Sequence, residues 1–213
     1  MSSKRGLLMG AGAVGATFAL LLSGCSDVGT QSADHDHTTH QHEAEHETMP
    51  AGGAHTDADI AFARDMVPHH EQAIVMSDII LAKRDIDPRV TELANQIKAA
   101  QGPEIATMQQ WLAKWGTGAP SGHEGHGMGG DPSAHAAMGM MTEEQLEQLR
   151  RAEGVEAARL FLTGMIAHHE GAVTMAQTEV DTGRDQEAVH LAHEIIETQQ
   201  REIDAMKQIL GSL

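Results

Sequence analysis

The feature that most constrains this chain is a phrase that occurs twice. Met66-Val67-Pro68-His69-His70-Glu71 returns as Met165-Ile166-Ala167-His168-His169-Glu170. The offset of 99 residues (165 − 66) also carries Phe62 onto Phe161, Ala73 onto Ala172 and Met76 onto Met175. A second pair of segments follows the same plan. Ile97, Gln101, Glu104 and Met108 correspond to Ile195, Gln199, Glu202 and Met206 at an offset of 98 (195 − 97), one residue having been lost in the second turn. The repeating unit is therefore a helical hairpin, used twice.

Composition agrees with helices. Aromatic residues make up 2% of the chain and tyrosine is absent, while Ala, Leu, Met, Gln and Glu dominate the periodic segments. Two hairpins joined by a long connection predict an all-α, ferritin-like four-helix bundle with one crossover and a pseudo-twofold relation between its halves.

Local signals place the helices. Thr56 caps the first, which is expected to reach about Arg84 and to bend at Pro68. Asp87-Pro88 opens the second, ending near Trp115 with Gly116 as its stop. Thr142-Glu143-Glu144-Gln145 is a capping box for a short helix that Gly154 should break. The third main helix spans Val155 to Thr182, with Gly183 as its stop. The fourth is capped by Asp185 and ends at Leu210, before Gly211.

The segments outside the bundle have their own character. Lys4-Arg5, an apolar run from Gly6 to Leu22 and the tetrad Leu22-Ser23-Gly24-Cys25 resemble a bacterial lipoprotein signal. Residues 1–24 are then a signal peptide, cleaved before a lipidated Cys25, the only cysteine. This places an exported protein on the outer face of the cell membrane, anchored through that lipid. Residues 25–55 form a polar tether, expected to be disordered, with His35, His37, His40, His42, His46 and His55. The domain proper is 56–213. Its connection at 116–141 carries His123, His126, Met128, His135, Met138, Met140 and Met141. The formal charge is −17, and loss of Lys4 and Arg5 leaves 12 basic residues against 31 acidic ones. Nucleic acid is excluded as a partner, because it requires a basic face.

Core stripes identify the candidate site. The first helix has the seam Phe62, Met66, His69, Ala73, Met76, Ile80, and the third repeats it as Phe161, Met165, His168, Ala172, Met175. At ~100° per residue, His69 and His168 face inward, His70 and His169 sit on the flank, and Glu71 and Glu170 point away. Gln101 and Glu104, with Gln199 and Glu202, interrupt the stripes of the partner helices. Buried carboxylates are costly unless they are paired or bound to metal. The candidate metal ligands are therefore His69, His70, His168, His169, Glu104 and Glu202, ringed by Met66, Met76, Met108, Met165, Met175 and Met206. Thioether and imidazole together favour copper, Cu(I) first.

Two other readings compete. A carboxylate di-iron oxidoreductase would bind iron, but it needs Glu-x-x-His on two helices. Glu104 is followed by Thr107 and Glu202 by Ala205. A metal-free polar layer that sets helix register is the structural alternative. Methionine is also an ordinary core filler. No partnered nucleophile or phosphate-binding glycine loop is present, so catalysis is not indicated beyond redox chemistry at a metal.

The twin Met-x-x-His-His-Glu phrases, with Gln101-Gly102-Pro103-Glu104-Ile105 and Gln199-Gln200-Arg201-Glu202-Ile203 on the following helices, resemble the bacterial "domain of unknown function" family number three hundred and five. The resemblance covers Asp57 to Leu210 apart from the connection. It implies a ferritin-like fold and export. Its CopM-type periplasmic members bind copper and support copper resistance, so the resemblance implies copper binding for sequestration, delivery or resistance.

Overall fold

The computed structural model describes residues 55–117 and 136–213. Among them are five helices and no strand: α1 (Asp57–Leu81), α2 (Pro88–Lys114), α3 (Glu143–Arg151), α4 (Gly154–Thr182) and α5 (Gln186–Ser212). No described helix is long and apolar enough to cross a membrane. Cys25, the histidines from His35 to His46, and His123, His126, Met128 and His135 lie outside the described residues.

Side chains set most of the helix starts. The Asp87 carboxylate accepts from the Arg89 N–H at 2.9 Å, and Pro88 occupies the first position, where no backbone donor is needed. Thr142 and Gln145 form a reciprocal box: the Thr142 N–H donates to Gln145 Oε1 at 2.7 Å, and the Gln145 N–H donates back to Thr142 Oγ1 at 3.3 Å. Asp185 Oδ1 accepts from Glu187 N–H and Ala188 N–H at 3.0 and 3.2 Å.

Several ends differ from expectation. α1 stops at Leu81, ahead of Arg84, and Asp85 takes a left-handed turn at φ 57°. Gly154 does not break α3, which has already ended at Arg151; at φ 54° it begins α4. α5 runs through Gly211 to Ser212. Gly183 ends α4 as expected, but with an ordinary φ of −65°. Its reason is space, since a Cβ there would lie 2.3 Å from Glu179 Oε1. Pro68 and Pro103 both lie inside unbroken helices.

α1 packs along α2, α4 packs along α5, and α1 and α4 join the two pairs; α3 rests on α1 and α4. The buried apolar side chains fall into two clusters. One holds Met76, Ile80, Leu93, Ile97, Leu149, Phe161, Met165, Met206 and Ile209 among others. The other holds Phe62, Met66, Met108, Trp111, Ala172, Ala176, Ala192 and Ile195. α1 begins in the second cluster and ends in the first, whereas α4 begins in the first and ends in the second. This is the exchange expected of two related halves packed head to tail. On every long helix the changeover falls at buried polar residues: His69 and His70, Gln101, His168 and His169, and Gln199.

A buried acidic knot ties the start of α1 to the α4–α5 turn. Asp59 Oδ2 accepts from the Thr56 N–H and hydroxyl at 2.6 and 2.7 Å, and Oδ1 accepts from the Arg184 and Asp185 N–H groups at 2.9 and 2.8 Å. Burial opposes the Asp59 charge, but the bonds from Thr56, Glu179 and the Asp185 backbone outweigh it and hold its pKa down to about 2. Glu179 takes the opposite role. Burial first, then its bond to Asp59 and the charges of Asp59 and Asp185, push it up to about 8. The folded protein thus keeps a proton that the unfolded chain, with a carboxyl near 4.5, releases. The proton's contribution is fully present below 4.5 and is lost as pH rises through about 8. Urea denaturation at about pH 5 and about pH 9 should show a lower midpoint at the higher pH, with the difference reduced in Glu179→Gln. An unchanged slope in that variant would remove Glu179 as its source.

Candidate metal centre

Consecutive helical residues point ~100° apart, and here two neighbours use that angle to face two different helices. His69 and His168 face each other across the α1–α4 contact, with ring centroids 3.7 Å apart and planes inclined by 34°. His70 turns toward α2, where its Nε2 lies 2.8 Å from Glu104 Oε2. His169 turns toward α5, with Nε2 2.7 Å from Glu202 Oε2. His70 and His169 thus lie on the flanks, and those flanks are buried, α2 covering that of α1 and α5 that of α4. All four rings have no exposed surface.

The carboxylates are less buried than the stripes predict. Glu104 and Glu202 sit at the margin of the core, with side chains 17% and 13% exposed, and each is engaged by a histidine. The fully inward positions belong to Gln101 and Gln199. Glu71 and Glu170 point outward as expected, and Glu170 pairs with Lys207 at 3.1 Å.

The methionines divide. Met66 and Met108 share one apolar cluster; Met165 and Met206 share the other. Met66 and Met165 lie one turn before His70 and His169, and Met108 and Met206 one turn after Glu104 and Glu202. Met76 is buried but two turns beyond His69, about 10 Å along the helix. Met175 is half-buried against the second cluster, and Ala176 takes the core position expected for it. These two thioethers stand apart from the polar layer.

Hydrogen bonding fixes the chemistry of the rings. His69 Nε2 lies 3.0 Å from the Met138 carbonyl oxygen, which can only accept, so Nε2 carries the proton and Nδ1 is a bare acceptor. In neutral rings the carboxylates impose the same tautomer on His70 and His169. Burial holds the His69 pKa down to about 3; the Met138 bond opposes this, and His70 and His169 add to it. His168 is lowered well below the usual histidine range by burial and then by the three other rings. The Nδ1 atoms of all four rings, His168 Nε2 and both amide ends of Gln101 and Gln199 have no protein hydrogen-bond partner. Buried polar atoms are normally paired. Among the described residues, no group of three or more His, Cys, Asp or Glu side chains surrounds a single ion position. The available groups are imidazole nitrogens, amides and thioethers, arranged as one extended layer.

Two contributors were missed in the sequence. Gln72 is buried and bonds both backbone groups of Met141, through Nε2 to the carbonyl at 2.9 Å and Oε1 to the N–H at 2.7 Å. Met138 contributes its carbonyl rather than its sulfur. The signal for Gln72 was its place three residues after His69, on the same helix face. A backbone carbonyl leaves no mark in a sequence.

The family model for the domain of unknown function DUF305 matches residues 59–210. The chain belongs to the DUF305 family. Among solved structures, a DUF305 fragment from Deinococcus radiodurans is 31% identical, with a TM-score of 0.66, covering 75% of this chain and 99% of that one. A DUF305 protein from Streptomyces coelicolor, named as a candidate secreted protein, is 32% identical with a TM-score of 0.64, covering 73% and 93%. CopM in its Cu(I)-bound form is 30% identical with a TM-score of 0.58, covering 72% and 96%. CopM has also been solved with Cu(II), with Ag and in the apo form. No curated protein matches the chain.

The His169–Glu202 contact is buried on one side, so its loss should be costly. Glu202→Leu leaves a ring N–H without an acceptor and should destabilise the domain by ~1–3 kcal/mol, read from urea denaturation. Glu202→Gln keeps an acceptor and should recover most of that loss. Equal destabilisation by both substitutions would assign the effect to charge instead.

Proposed function

We propose that this DUF305 protein is an extracytoplasmic copper-binding lipoprotein that sequesters or delivers copper, with Cu(I) as its preferred cargo. One observation carries the reading: four buried imidazoles with unpartnered Nδ1 atoms lie between two apolar clusters that each present a methionine pair. Bare imidazole and thioether are a soft donor set that suits Cu(I) and Ag(I). The Cu(I), Cu(II) and Ag forms of CopM, a neighbour at about 30% identity, support the same choice of cargo.

The repeat divides the donors into two equivalent groups. His70 with Met66 and Met108 would hold one ion; His169 with Met165 and Met206 would hold a second. Glu104 and Glu202 then accept the Nε2–H and orient each ring for binding through Nδ1, the usual part of a carboxylate behind a metal-bound histidine. His69 and His168 would link the two groups across the bundle. The ferritin-like arrangement is the scaffold in this reading, with α1–α2 and α4–α5 as its two hairpins. The lipid on Cys25 and the histidines of residues 25–55 and 116–141 would keep the protein at the membrane and gather ions for the bundle.

A di-iron oxidoreductase is less well supported. Glu71 and Glu170 point outward, and Glu104 and Glu202 are each committed to a histidine.

Titration of the Cys25-free soluble protein with Cu(I) against a chromophoric competitor should give two sites per chain. His70→Ala with His169→Ala should weaken both by tenfold or more, about 1.4 kcal/mol each. Unchanged affinity would remove the bundle site. Loss of binding only on deletion of residues 25–55 would make the protein a tail-based chelator.

A further inference from the structure

A short strap from the end of the connection lies over the histidine layer, and its contacts are closer than simple packing requires. Met138 accepts the His69 Nε2–H through its carbonyl at 3.0 Å. Gln72 holds both backbone groups of Met141 at 2.7 and 2.9 Å. Two glycines permit the approach. A Cβ at Gly171 on α4 would lie 1.8 Å from the Met138 carbonyl oxygen, and one at Gly139 would lie 2.0 Å from the Ala167 carbonyl oxygen. Gly139 also adopts φ 73°, a conformation that side chains disfavour. Gly164 makes room for the Met141 sulfur, 2.8 Å from where its Cβ would be. These contacts hold a polar backbone segment against the His69 ring and against the α4 backbone at Ala167 and His168.

We propose that residues 138–141 form a displaceable cover that controls access to the His69–His168 pair. In the closed state the Met138 carbonyl occupies His69 Nε2, and α1, α4 and the strap shield both rings from solvent. Opening exposes both rings and frees His69 Nε2 from its acceptor. The strap is suited to this because it is held by a few hydrogen bonds and by only two buried side chains, Met140 and Met141, and such a short segment opens at lower cost than a packed helix. α1 and α4 are instead held by apolar side chains along their length. Met141 packs into the first apolar cluster, and opening of the strap also releases the two Gln72 bonds to its backbone.

The cover can be tested without a metal. Gly171→Ala suits a helix but drives a methyl group into the Met138 carbonyl, and Gln72→Leu removes the clamp on Met141. Neither removes a histidine. Diethyl pyrocarbonate labelling with peptide mapping reads access to each imidazole, with the exposed His190 as internal reference. In the native protein His69 and His168 should label far more slowly than His190. Both variants should raise labelling of His69 and His168 by about tenfold or more, while amide exchange at Met141 accelerates and exchange in α1 and α4 stays unchanged. Faster exchange at Met141 with no gain in labelling would overturn the proposal. So would exchange that is unchanged in both variants, or that rises only together with α1 and α4, because the strap would then not move as a separate unit.

A second arm uses Ag(I) and rests on the proposed copper function. Capture by stopped flow should accelerate in the same two variants. A native protein that takes up no Ag(I) would sink the soft-metal reading, and the labelling would still decide the cover.

Discussion

The contact between α1 and α4 at the His69–His168 pair is the constraint on which the remaining structure depends. It lies where two apolar clusters meet, and neither cluster can satisfy the polar groups of the layer between them. A buried polar atom without a partner costs ~1–3 kcal/mol. Nine such atoms in the histidine–glutamine layer make it an expensive way to build a helix bundle. A layer whose only purpose was to set register would be expected to satisfy its own hydrogen bonds, as well-paired polar networks do. The imidazole nitrogens among them are of the kind that copper takes. The apolar clusters above and below supply the packing that holds the layer in place, each buried Leu, Ile, Phe or Met contributing ~1.5–3 kcal/mol.

The duplicated sequence makes this layer symmetrical in its helices but not in its surroundings. Both halves place one histidine toward the other repeat and the next toward their own second helix. Glu104 and Glu202 stand behind His70 and His169 at nearly equal distances. His69, however, has the Met138 carbonyl on its Nε2, whereas both nitrogens of His168 lack a protein partner. The strap thus distinguishes two rings that the repeat alone would make equivalent. At one end of the bundle the Asp59–Glu179 knot does separate work. It secures the start of α1 to the α4–α5 turn by hydrogen bonds.

Much of the fold was readable because its causes are local. Thr142 with Gln145, Asp87 with Pro88, and Asp185 act on backbone groups within three residues, so their positions predict helix starts. Phe62, Met66, Ile97 and Ile195 recur at helical spacing and are buried as their periodicity requires. The end of α1 was harder to place, since Asp85 takes a left-handed conformation that no glycine announces. Gly183 could be recognised as a stop, but its cause is a side chain four residues back on α4 rather than a left-handed turn.

The duplicated phrase by itself determined that two related helix pairs would bring His69 and His168 inward and leave Glu71 and Glu170 in solvent, because those directions follow from helix geometry. It could not determine the fate of His70 and His169. Their burial depends on how closely α2 and α5 cover the flanks of α1 and α4, which is set by packing between helices. Nor could it assign Glu104 and Glu202 to the backs of those rings, or move Met76 and Met175 away from the layer. A residue's angle on its helix is local; its partner is chosen by the neighbouring helix. Only the tertiary structure brought the Met138 carbonyl to His69, across 69 residues of sequence.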